Sequence, residues 1–144
     1  MSFTKNKFKK IFAETIFLFL IAFFCYTALN KLLNLDSFRT NLIKTSLFNI
    51  ETAKYFSIIV VAWEIIVVAL LLFYKKLGLL FFCFTMLLFT LYISFLRFKG
   101  LYEVCGCGGV LNGLSYGYHL VINISLLFGG LFLLILNNIK GDEK

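Results

Sequence analysis

The chain has no proline, one histidine, one tryptophan and two methionines among its 144 residues. With no proline, no low-complexity linker and no internal repeat, nothing in it marks a boundary between domains, and a single domain spanning residues 1–144 fits the length. Acidic residues are also scarce, 7 against 14 Lys and Arg, for a net charge of +7. The basic residues are scattered at the ends of apolar runs and form no stripe interleaved with exposed aromatics, which excludes a nucleic-acid interface. The methionines, Met1 and Met86, are too few to help the cysteines hold a soft ion such as Cu(I), so no metal site is expected.

What fills the chain is apolar. Hydrophobic residues make up 61% of it, Phe alone accounts for 19 positions, and the mean hydropathy is +0.95, outside the balance of a water-soluble domain. Four apolar runs stand out, at about 11–29, 55–74, 77–98 and 117–139. At about 1.5 Å per residue each can cross about 30 Å of hydrocarbon. Glu64 inside the second run does not veto it, because the surrounding Ile, Val and Leu outweigh the roughly 3 kcal/mol of one ionisable group. The expected fold is all-α, an integral membrane four-helix bundle in a lipid bilayer, packed by van der Waals contact and interhelical hydrogen bonds.

The connections differ in character. Little more than Lys75 and Lys76 separates the second and third runs, which predicts a tight antiparallel hairpin. Residues 30–54 mix Leu32, Leu33, Leu35, Phe38, Leu42 and Ile43 with charges at near-helical spacing, which predicts an amphipathic segment on the membrane surface. Lys5, Lys7, Lys9 and Lys10 precede the first run, but no small-residue cleavage site follows it, so it reads as a retained helix. One side of the membrane carries eight Lys and Arg and the other six, and the dense N-terminal cluster sets the orientation. This places both termini in the cytoplasm of a bacterium and residues 99–116 on the outer face of its inner membrane.

That last connection holds the one concentrated chemical signal, Cys105-Gly106-Cys107-Gly108-Gly109. Glycine widens the accessible backbone dihedrals, so the turn can bring two thiols within disulfide range. A ring so small is strained and easily reduced, which suits exchange better than a permanent staple. A static staple, or two incidental small residues in a turn, is the plainer alternative. His119 follows closely, and with Tyr116 and Asn123 it shares one face of the last helix. A protonated His119 beside a thiol would favour the reactive thiolate. Equally, it is an interfacial ring bonded to backbone or headgroups. Glu64 is expected to face the bundle interior, with Asn123 as a plausible hydrogen-bond partner, either as a functional carboxyl or as polar glue between helices. Cys25 and Cys83 lie among apolar residues and read as small hydrophobes.

Together these residues resemble the MauE family of methylamine-utilisation membrane proteins, grouped with DoxX-like redox-associated proteins. The resemblance rests on Asn30 and Lys31 leading into Asp36 and Phe38, on Trp63 and Glu64 inside the second run, and on Cys105-Gly106-Cys107 followed by His119 and Asn123. Where the family often has an aromatic after the thiol pair, this chain has Gly108 and Gly109. The resemblance implies a four-helix bundle and a thiol-redox role with a thioredoxin-like periplasmic partner, including maturation of methylamine dehydrogenase. It makes Cys105, Cys107 and His119 the candidate catalytic residues, with Glu64 and Asn123 as intramembrane polar residues. No cofactor is specified; a quinone between the helices is one conceivable electron partner. Competing readings are a non-catalytic assembly subunit of a membrane complex and a small-molecule carrier built around Glu64.

Overall fold

An apolar run marks only the part of a helix that lies in hydrocarbon, whereas backbone hydrogen bonding carries the helix on until a cap or a turn stops it. The computed structural model describes residues 2–101 and 115–141, with side chains for residues 7–101 and 115–137. Its elements are α1 (Ser2–Leu33), α2 (Leu35–Lys44), α3 (Ile50–Phe73), α4 (Lys75–Phe98) and α5 (Tyr116–Gly141). Four of these, α1 and α3 to α5, are long and apolar enough to cross a membrane, and no strand occurs among the described residues. Each begins earlier or ends later than its apolar run. α3, for example, starts five residues before Tyr55 because Asn49 caps it: the Asn49 side chain accepts the Thr52 N–H at 2.8 Å, and the Asn49 N–H donates to Thr52 Oγ1 at 2.9 Å.

Packing follows stripes at helical spacing. Ala53, Ser57, Val61, Glu64, Val67 and Leu71 of α3 are buried, as are His119, Asn123, Leu126 and Leu133 of α5. Leu20 and Phe24 of α1 meet Phe82 and Met86 of α4 and Leu126 and Leu133 of α5 in the main core, where the Phe24 and Phe82 rings pack edge to face at 5.1 Å. Large apolar side chains on the remaining faces, such as Phe19, Ile59, Leu91 and Phe128, are exposed and present the surface that lipid would cover.

The amphipathic segment is shorter and more deeply engaged than its composition suggests. Leu32 and Leu33 continue α1; the chain then turns at Asn34, and α2 packs against α3, burying Phe38 and Leu42 against Ala53. Arg39 ties the two helices together, its Nε donating to Ser57 Oγ at 3.2 Å while Nη1 donates to Asp36 Oδ1 at 2.9 Å. α2 thus lies along the first half of α3 as part of the bundle.

The predicted α3–α4 hairpin is as tight as it can be, with Tyr74 alone between the helices. A Cβ at Gly78 would come within 2.4 Å of the Leu71 backbone nitrogen, so only glycine fits there. At the opposite extreme, a Cβ at Gly117 would meet nothing within 4 Å. Gly78→Ala is therefore expected to destabilise the bundle by about 1–3 kcal/mol and Gly117→Ala to leave it almost unchanged, as read by thermal unfolding in detergent.

Candidate functional site

Glu64 sits nine residues from the Phe73 end of α3, roughly 14 Å at about 1.5 Å per residue, and none of its surface is exposed. A lone carboxylate there would lose its hydration with nothing in return, so to stay ionised it needs an internal cation. Lys31 supplies it. The Lys31 ammonium, itself only 4% exposed, donates to Glu64 Oε1 across the α1–α3 interface. By helical rise Lys31 stands higher in the bundle: Lys75 at the start of α4 lies over the Phe17 ring at 4.3 Å, and Lys31 is fourteen residues, roughly 21 Å, beyond Phe17. The long lysine side chain makes up the difference by reaching inward, opposite to the usual snorkelling direction.

Aromatic rings complete the cation's surroundings. Lys31 Nζ is 4.9 Å from the centroid of Phe89 in α4 and 5.8 Å from that of Phe38 in α2, both within cation–π range. Four helices therefore converge on one ammonium. This corrects the sequence-based expectation for Glu64: the hydrogen-bond partner it finds is Lys31, which composition had grouped with the extramembrane charges, and no bond joins Glu64 to Asn123.

Beside the pair lies a cavity of about 510 Å³. Its wall is formed by α1 through Phe23, Phe24, Thr27 and Lys31, by α2 through Phe38 and Leu42, and by the remaining helices. Trp63 of α3 faces it with its indole N–H donated to Thr85 Oγ1 at 2.8 Å, and Thr85 in turn donates to the Phe81 carbonyl at 2.7 Å. His119 and Asn123 of α5, each 2% exposed, line it from the other side. The face of α5 defined by Tyr116, His119 and Asn123 thus turns inward, and His119 is buried within the bundle.

Cys105 and Cys107 lie outside the described residues. Their flanks are fixed. Ile93 and Leu96 of α4 are fully buried in a cluster with Tyr92, Leu101, Tyr116 and Leu120, the Tyr116 and Ser94 hydroxyls are 3.3 Å apart, and the Arg97 guanidinium lies over the Tyr116 ring at 5.9 Å. Cys25 and Cys83 are free thiols, Cys25 half-buried and Cys83 buried among apolar side chains, in keeping with a packing role.

Four membrane-spanning helices around an internal ion pair and an aromatic cavity define a multi-pass helical membrane protein. The chain belongs to the family described as methylamine utilisation protein MauE, which matches residues 9–136. No curated protein and no solved structure matches it.

Removing one member of the pair strands the other in a dry interior. Lys31→Met or Glu64→Leu alone is expected to cost about 3–5 kcal/mol, whereas the double variant Lys31→Met/Glu64→Leu recovers most of that loss. A double-mutant cycle of detergent or denaturant unfolding checks the coupling.

Proposed function

We propose that the chain is a membrane-embedded thiol–disulfide redox protein in which Cys105 and Cys107 exchange with a thioredoxin-like partner outside the membrane. The observation that carries this reading is the placement of the chain's one close thiol pair in the α4–α5 connection, between flanks pinned by Tyr116, while Cys25 and Cys83 sit apart in helices. In this reading the pair is offered to a soluble partner from the connection between two spanning helices. The family's description ties the chain to methylamine utilisation, and on that basis the client is a secreted enzyme whose disulfides need to be made, methylamine dehydrogenase being the family's example. The pair acts in a bacterial inner membrane, with both termini cytoplasmic and the cysteine loop periplasmic.

In the exchange, a thiolate of the reduced partner attacks the Cys105–Cys107 disulfide and one chain thiol leaves, giving a mixed disulfide. The partner's second thiolate then resolves it. The partner is left oxidised, and the chain as a dithiol holding the two electrons and two protons. His119 and Asn123 stand on the helix that follows the loop, and in this reading His119 takes up those protons. Glu64, engaged by Lys31, serves in this reading as a structural charge.

With Cys25 and Cys83 replaced by alanine, a membrane-impermeant maleimide applied to intact cells should label Cys105 and Cys107 only after mild reduction, and Cys107→Ser should trap the partner as a mixed disulfide. Labelling that requires permeabilised cells would overturn the orientation. A pair that stays oxidised under mild dithiol and traps nothing would point to a static staple.

A further inference from the structure

The cavity next to Lys31 is not used by the exchange itself, and its chemistry selects an occupant. Much of its wall is ring after ring, with Phe24, Phe56, Trp63, Phe84 and Phe89 all lining it. Flat conjugated molecules fit such walls, because offset and edge-to-face contacts with several rings add to simple burial. The polar side chains of the wall are Thr27, Lys31, Thr85, Tyr92, His119 and Asn123, while Glu64, its Oε1 held by Lys31, is absent from the wall. The ammonium is a donor with no acceptor capacity. An occupant that pairs with it brings a hydrogen-bond-accepting oxygen.

Charge narrows the class further. Lys31 is already balanced by Glu64, so the pair carries no net charge for a ligand to neutralise. A fatty acid or phosphate headgroup entering the cavity would leave its own charge uncompensated in a dry site. A neutral ring carrying carbonyl oxygens meets both demands. At about 510 Å³ the space lies within the range of about 300–1,000 Å³ usual for small-molecule sites.

We propose that this cavity binds a neutral, lipid-soluble ring with carbonyl acceptors, of the membrane quinone class, its ring among the aromatic side chains and a carbonyl oxygen toward Lys31. One consequence rests on the thiol reading above: the two electrons and two protons released when the Cys105–Cys107 dithiol closes to a disulfide convert the bound quinone to its quinol, which returns the chain to the oxidised form the partner needs.

Trp63 is the chain's only tryptophan and lines the cavity, so its fluorescence reports occupancy without reference to the cysteines. Decylubiquinone titrated into the full chain in lipid nanodiscs should quench Trp63 saturably, and oleate should fail to displace it. Val60→Phe, which fills the cavity without touching the ion pair, should weaken binding about tenfold or more. The variant Lys31→Met/Glu64→Leu, which keeps the interior neutral but removes the donor, should weaken it by a similar factor. The double variant Cys105→Ser/Cys107→Ser should quench as the parent does, so failure of the thiol reading would leave this result intact. Quenching that rises linearly with quinone and is equal in every variant, competition by oleate as strong as by quinone, or loss of quenching in the serine variant would each overturn the proposal.

Discussion

Glu64 lies more than halfway along α3, with no surface exposed. In hydrocarbon an ionised carboxylate so placed needs a cation brought to it, and the fold around α1 supplies one. Lys31 is two residues from the end of α1, and reaching Glu64 holds this end of α1 against α3. Because α1 stops at Leu33, α2 can turn back along the first half of α3, where Phe38 offers its ring to the same ammonium. Phe89 of α4 does likewise. One electrostatic contact thus joins α1 to α3 and gathers rings from α2 and α4 around it.

The cavity is the geometric remainder of that arrangement. Helices held by a polar contact at one level and by the Leu20, Phe24, Phe82 and Met86 core at another do not close completely between them. Elsewhere the packing is tight: the Gly78 turn permits no side chain, and a Cβ at Gly130 would come within 2.7 Å of the Cys83 sulfur, which keeps α4 and α5 in close contact. An open, aromatic space amid close helix packing is the feature a bound molecule would use. Its neighbours His119 and Asn123 start the helix that follows the cysteine loop, which relates the cavity to the thiol pair by chain connectivity.

Much of this was legible in the sequence because hydrocarbon makes local demands. Four apolar runs of spanning length give the four long helices, and the two lysines between the second and third give the hairpin, since a helix either crosses the membrane or does not. Glu64, His119 and Asn123 stand out as polar residues in apolar runs, and all three are buried. Lys31 was missed as a site residue for a physical reason: at the end of a run it looks the same as the extramembrane lysines, and only the relative heights of α1 and α3 bring it inward. The available signal was the carboxylate itself, which needs a cation on a neighbouring helix. The aromatic surroundings were out of reach, because Phe38, Phe89 and Trp63 come from three helices whose registers are fixed by packing. The ends of α3 and the depth of α2 depended on a cap and on the Arg39–Ser57 contact, neither of which hydropathy records.

The central claim is that Lys31 and Glu64 form a charged pair inside the bundle, since both the architecture and the neutrality of the cavity depend on it. The most direct measurement is an infrared difference spectrum of the full chain in lipid, with isotopically labelled glutamate, comparing the parent with Glu64→Gln. The account predicts that the substitution removes an ionised carboxylate band and leaves the protonated carboxyl region unchanged. Loss of a protonated carboxyl band in its place would show that the pair is a neutral hydrogen bond and would contradict the account.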